Sequence, residues 1–270
     1  MKLAYTIGTP DTNGKMLAYC GKSEDVLASL REIGYQGLEL FVRDPMSMDT
    51  QVFSRLVERY GFEVPAIGTG PVVSEDKLTF TAETESVRNM AIERTKSIID
   101  FAALFQAQVN IGKLRGNIQV ANASQSREWM RNAFATVCDY AGKKGIKVTF
   151  EPQNRFVINN LNTTQQAVAW IRELQIPNLY MMLDVFHMNI EDKSIIASII
   201  EAKDYNIHLH FADNNRGVPG AGHINFPEII RVLKALNYNH YISIEIDQIP
   251  DSYHAAKESL EYLNHIIKED

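Results

Sequence analysis

The sequence predicts a single-domain α/β protein, a closed (β/α)8 barrel formed by residues 1–270. Three observations predict it. Eight short apolar runs alternate with stretches of helical periodicity, the pattern of a parallel sheet with crossover helices. Eight such units in 270 residues suit the size of a closed barrel. No GxGxxG follows the first run and no Walker loop occurs, which ranks an open doubly wound sheet second.

The elements follow in order. Strands are read in "KLAYTIG" (2–8), "GLELFV" (37–42), "FEVPAIG" (62–68), "AQVNIG" (107–112), "IKVTFEP" (146–152), "LYMMLDV" (179–185), "IHLHFA" (207–212) and "YISIEI" (241–246). Helices are read between them, among others at 23–34, 85–105, 126–145, 163–174 and 226–237. Ser23 before Glu24 and Asp25 reads as a helix start, and Thr163 with Gln166 has capping-box spacing. Gly34 and Gly145 stand where helix C-caps belong. The segment 68–84, "GTGPVVSEDKLTFTAET", reads as a longer loop after the third strand, positioned to cover the active face. No low-complexity linker or composition break divides the chain.

Composition narrows the function classes. Hydrophobic residues make up 45% and charged residues 22%, the balance of a globular protein in water. A net charge of −6 argues against nucleic acid as a partner. Cys20 and Cys138 form no CxxC pair, so two free thiols in a reducing compartment are expected. The N-terminal run turns polar within about ten residues, too soon for a signal peptide or a membrane span. A cytoplasmic protein without a membrane partner is the expectation.

Strand side chains alternate with a period of two, so each barrel strand sends one phase to the helices and the other to the axis. Val148 and Phe150 take the helix phase of the fifth strand, which leaves Glu151 in the axial phase. Met181 and Leu183 leave Asp184. Leu209 and Phe211 leave His208 and His210. Ile242, Ile244 and Ile246 leave Glu245. Four successive strands thus end their axial phase in a metal-ligand type, at the C-terminal mouth where barrel active sites are built. Three carboxylates cannot crowd together as anions without a compensating charge. A divalent cation supplies it, and a mostly oxygen donor set suits Mn²⁺ first, with Mg²⁺, Co²⁺ or Zn²⁺ as alternatives. His208 falls one layer deeper, as packing or support. Glu39 shares the inward phase and is a further pocket residue.

The segments "FEPQNRF", "LDVFHMNIED", "HLHFADNNRGVPGAGH" and "ISIEI" resemble the xylose-isomerase-like barrels, in particular their ketose 3-epimerase branch. "FVRDP" (41–45), "AIGTG" (66–70) and "IGKLRGN" (111–117) look like the 5-keto-L-gluconate epimerases within it. The resemblance implies Glu151, Asp184, His210 and Glu245 as metal ligands, with Glu151 and Glu245 also the acid/base pair. It implies His187 and Arg216 as substrate contacts, and a homodimer or homotetramer. One position departs from the pattern: Val157 stands where these epimerases carry a Glu, six residues after the first ligand.

Epimerising a carbon beside a carbonyl means removing a weakly acidic proton. A metal on the carbonyl and its neighbouring hydroxyl stabilises the enediolate. One base is needed on each face of the carbon, which Glu151 and Glu245 would supply from opposite sides of the mouth. Arg43, Lys113, Arg115, Arg155 and Arg216 all follow strand ends. Such cations in an acidic protein suit an anionic substrate, a keto-sugar acid held by Lys113 and Arg115. Three rival readings stay open. One is another sugar isomerase, hydroxypyruvate isomerase or dehydratase on the same barrel. A phosphoesterase acting on nucleic acid is disfavoured because no His precedes His187. The third is a non-catalytic binding homologue, for which Val157 speaks.

Overall fold

Strand β1 (Lys2–Gly8) pairs in parallel with β2 (Gly37–Phe41) on one side and with β8 (Tyr241–Ile244) on the other, so the sheet closes on itself. Between them run β3 (Glu63–Gly68), β4 (Gln108–Ile111), β5 (Val148–Phe150), β6 (Leu179–Asp184) and β7 (Asn206–Phe211), in sequence order around the barrel. The computed structural model describes residues 1–14 and 16–269. Every expected strand is present, several shorter by a residue or two and β5 by four, while β7 begins one residue early. Glu151 and Glu245 lie one step past the ends of β5 and β8, yet their N–H groups still bond Ile111 and Phe211 carbonyls on neighbouring strands.

The helices are α1 (Ser23–Ile33), α2 (Thr50–Arg59), α3 (Gly70–Ser74), α4 (Glu85–Ala103), α5 (Ala123–Gly142), α6 (Thr164–Leu174), α7 (Val185–Glu191), α8 (Ile195–Ala202), α9 (Phe226–Ala235) and α10 (Ser252–Glu269). The Thr163–Gln166 capping box starts α6 as read from sequence, and Gly34 closes α1 in the left-handed region at φ 111°. Three readings are corrected. Lys22, not Ser23, occupies the N-cap of α1, and no side chain caps it. Helix α5 ends at Gly142, and Gly145 instead shapes the following turn at φ 71°. The segment 68–84 is not all loop, because α3 forms at its start.

Period-two alternation sorts the core as expected. Val148, Phe150, Leu183, Leu209, Phe211 and Ile244 point to the helices and are fully buried. Phe150 meets Phe134 of α5 and Trp170 of α6 at ring centroid distances of 5.9 and 5.0 Å. Truncating such a ring to Ala costs roughly 3–5 kcal/mol. The axial phase is polar, and buried polar groups must be bonded to be tolerated. Asn110 donates to Glu39 at 2.7 Å and accepts from Thr149. Glu39 also meets His208 at 2.9 Å. This bonded layer is the floor on which the mouth is built.

Candidate metal centre and active site

Register sets the site. Asp184 pairs with His210, and His210 with Ser243, so β6 and β7 deliver their last axial side chains at one height. Asp184 also caps α7, accepting the Phe186 N–H at 2.8 Å, which fixes its carboxylate. Ligand atoms of Glu151, Asp184, His210 and Glu245 all lie within 4.8 Å of one another. The first three residues are buried and Glu245 is partly so. The structure brings together the four residues that the strand phases single out.

The ring of His210 spans two layers. Its Nδ1 faces Glu245 at 3.2 Å and its Nε2 meets Glu39 at 2.8 Å. Burial opposes ionisation of Glu39, but His210 and His208 outweigh it and hold the carboxyl well below its usual range. The same contact with Glu39 outweighs burial at His210 and raises its pKa. His208 sits below, bonded to Glu39 and to Ser243 Oγ at 2.9 Å each, and burial lowers it.

Arg216 reaches the cluster from the loop after β7. It donates to Asp184 Oδ2 at 2.5 Å and to Glu245 Oε2, with its guanidinium 4.7 Å over the Phe186 ring. Its φ is +61°, a conformation few side chains adopt. Asp213 holds that turn by accepting the N–H groups of Asn214, Gly220 and Ile224. A Cβ at Gly222 would collide with Asp213 and Asn214, so the turn needs glycine there. Burial raises the Asp184 carboxyl, but Arg216 and the nearby histidines outweigh it and leave it low. Burial pushes Glu151 up to about 7 against the opposing pull of His210.

His187, three residues past Asp184 on α7, has Nε2 3.7 Å from Glu151 and 3.8 Å from Asp184. Its Nδ1 meets Asn154 Nδ2 at 2.8 Å. Burial pushes the imidazole down to about 3, so it is neutral.

Above these groups lies a cavity of about 320 Å³, the size for one small molecule. Its apolar walls come from Met16, Leu17, Phe41, Pro71, Val157 and Phe186. The walls from the first four strands carry few ionisable groups. The donor cluster comes from the ends of β5 to β8. Helix α3 lends Gly70, Pro71 and Ser74 to the rim, so the segment after the third strand does border the site.

The five strand-end cations fare differently. Lys113 lines the cavity, is exposed, and has no ion-pair partner among the described residues. Arg115 does not line it, contrary to expectation. It is fully buried, stacked 4.7 Å from Phe150, and bonded to the carbonyls of Gly112, Glu151 and Asn160 and the Asn160 side chain. Every one of these bonds serves the wall. Arg43 pairs with Asp76 at 2.7 Å and Arg155 with Glu191 at 2.8 Å. The adjacent Asp44 pairs instead with Arg94 at 3.0 Å, and Arg94 also reaches Asp76 at 2.6 Å.

Sequence reasoning missed Gln153, Asn154 and Asn110. Asn110 was legible as the axial neighbour of Thr149. Gln153 and Asn154 follow β5, where the alternation ends and side-chain direction is no longer set by a period.

Three carboxylates and one imidazole form a hard, oxygen-rich donor set. Arg216 inserted between two of them shows that the cluster draws in positive charge. The residues therefore fit a divalent cation. The fold and the site thus define a closed parallel barrel with a donor cluster suited to a divalent cation at its C-terminal mouth.

The chain belongs to the xylose isomerase-like TIM barrel family, whose model matches residues 27–266. Within it the chain falls in the ketose 3-epimerase branch of carbohydrate epimerases. It is 25% identical over 222 residues to L-ribulose 3-epimerase of Methylomonas sp., covering 81% of this chain and 76% of that one. It is 27% identical over 220 residues to ketose 3-epimerase of Arthrobacter globiformis, covering 80% and 74%. In fold it resembles D-psicose 3-epimerase of Clostridium cellulolyticum H10, solved with D-tagatose (TM-score 0.83, 20% identity, 99% of both chains). The 3-keto-D-glucoside 4-epimerase of E. coli is equally similar (TM-score 0.83, 20% identity, 98% and 99%). No helix among the described residues is long and apolar enough to cross a membrane.

Proposed function

We propose that this chain is a divalent-metal-dependent epimerase of a ketose or a keto-sugar acid, of the 5-keto-L-gluconate kind. The observation that carries the reading is the convergence of Glu151 and Glu245, from strands three places apart on the barrel, on one four-residue donor cluster. Glu151, Asp184, His210 and Glu245 would hold the ion, with Mn²⁺ favoured by the oxygen-rich set. Bound there, the ion would act as a Lewis acid toward a substrate carbonyl and its neighbouring hydroxyl, easing loss of the proton between them.

The chain's own residues do the rest. One Glu takes the proton from one face of the reacting carbon, and the other returns a proton to the opposite face. Such acid–base assistance is worth roughly 10²–10⁴-fold. Neutral His187 donates from Nε2 to a substrate oxygen, and Arg216 offers its fork to an oxygen pair. The apolar walls exclude water from the reacting carbon. Lys113 supports the anionic end of the reading, as a cavity cation without a carboxylate partner among the described residues.

The test is a screen of neutral ketoses and keto-aldonates with Mn²⁺ in D₂O, followed by NMR. Deuterium is expected at the carbon beside the carbonyl, with the carbonyl unmoved and the configuration inverted. Glu151→Gln and Glu245→Gln should each abolish inversion. A shifted carbonyl would instead mean aldose–ketose isomerisation, and turnover unaffected by either substitution would refute the acid–base pair.

A further inference from the structure

Gln153 stands on the loop leaving β5, two residues past Glu151, and is 7% exposed. Its Nε2 donates to Glu151 Oε2 at 2.8 Å. Its Oε1 is buried and has no hydrogen-bond partner among the described residues. Turning the amide over would set Oε1 against the carboxylate, acceptor to acceptor, so the bond to Glu151 fixes its orientation. A buried carbonyl without a partner weakens a fold. The arrangement persists for what the other end of the amide does.

The backbone makes room for it. Gly112, just past β4, has no side chain, and a Cβ there would lie 2.6 Å from both Gln153 Nε2 and Glu151 Oε2. Glu151 is thereby held at three points. Its N–H bonds Ile111, its carbonyl accepts from Arg115 Nη1 at 2.8 Å, and its Oε2 accepts from Gln153. The remaining oxygen, Oε1, is the one 3.7 Å from His187 Nε2. Glu245 is restrained quite differently, by His210 and Arg216.

We propose that Gln153 is a positioning residue for Glu151. Its amide holds Oε2 and fixes the rotation of the carboxylate, leaving Oε1 toward His187 and the reacting centre. The inference rests on the acid–base reading of Glu151 given above. Val157, on the same loop, offers no polar group, so Gln153 is the side chain that performs this task.

The decisive variant is Gln153→Met, similar in volume but without the amide, compared with Gly112→Ala and Glu151→Gln. Steady-state kinetics on an accepted ketose, Mn²⁺ affinity by calorimetry and the thermal midpoint are read for each. Outer partners of metal-site residues typically matter about 10–100-fold in affinity or activity. Gln153→Met should lower kcat by about that much with KM within about threefold, and weaken Mn²⁺ binding about tenfold. Its thermal midpoint should not fall, because the unpartnered carbonyl is removed with the amide. Gly112→Ala should wedge the same contact apart, and adding it to Gln153→Met should add little. Should Gly112→Ala not fold, Gln153→Met decides alone. The proposal is overturned if Gln153→Met keeps both kcat and Mn²⁺ affinity within about twofold, or if its loss of kcat accompanies a lower thermal midpoint. Glu151→Gln separates the two ideas. Intact turnover there refutes the acid–base reading itself, whereas abolished turnover beside a silent Gln153→Met removes only the positioning role.

Discussion

Asn154 decides which nitrogen of His187 carries the proton. Its Nδ2 donates to His187 Nδ1 at 2.8 Å, while its Oδ1 accepts the Phe156 N–H at 3.0 Å and prevents the amide from turning over. A neutral ring that accepts at Nδ1 must be protonated at Nε2, the nitrogen facing Glu151 and Asp184. Asn154→Asp should reverse this, since a carboxylate demands a proton on Nδ1. A fall of about tenfold or more in kcat/KM is expected, the scale of lost acid–base assistance. Imidazole ¹⁵N NMR should show Nδ1 become protonated. An unchanged Nε2–H spectrum in that variant would contradict the account.

Glu151 gives metal binding a pH dependence. Burial pushes its carboxyl up to about 7, so below that pH it carries a proton that a cation must displace. Divalent-ion affinity should therefore rise with pH through about 7 and level off above. Calorimetry in buffers of different ionisation enthalpy should detect more protons released at pH 6 than at pH 8, from Glu151 and from His210, whose pKa is also raised. Glu151→Gln should reduce the difference by the share of Glu151.

Lys113 and Arg115, two residues apart, should respond oppositely to removal. Lys113→Ala should raise KM for a keto-acid about tenfold, the scale of one charge-assisted contact, and leave a neutral ketose unaffected. Equal effects on both substrates would remove the case for an anionic ligand. Arg115→Ala strands buried carbonyls of Gly112, Glu151 and Asn160. It should cost roughly 3 kcal/mol of stability, read as a lower urea midpoint, before any effect on binding.

Asp76 ties the loops after β2 and β3 to α4, through Arg43 and Arg94. Burial works against its ionisation, but the two guanidiniums outweigh burial and lower its carboxyl. A depressed carboxylate contributes stability above its unfolded pKa and loses it as pH falls through the lower folded value. Asp76→Asn should thus lower the thermal midpoint at pH 7 by about 2–4 °C, and by less in acid, as the pH falls through the lowered carboxyl value and the native pairing is itself lost. An equal shift under both conditions would mean that the charge is not what matters.

The barrel and its reactive cluster were legible because both follow from alternation. A period of two sends Asp184 and His210 inward at one height, and Glu151 and Glu245 prolong the same phase past the hydrogen-bonded ends of their strands. Asn110 belonged to that pattern and could have been found by it. What the pattern does not reach is side-chain pairing across loops. Arg115 and Lys113 sit in one 3-10 turn, and nothing in "GKLRG" distinguishes the cation turned inward onto Phe150 from the one left at the cavity. Gln153 and Asn154 lie where no strand fixes direction. Their roles emerge from the carboxylate and imidazole they touch.

The cavity is divided by origin: Met16, Leu17, Phe41, Pro71 and Lys113 come from the first four strands and their loops, the reactive cluster from the last four. Descent can act on the two halves at different speeds. Changes that accumulate in the first half would reshape part of the cavity wall while the donor cluster stays in place. On the proposed function, such a lineage could widen its diet without reinventing its chemistry, and chimaeras joined between β4 and β5 would exchange that part of the wall in a single cut.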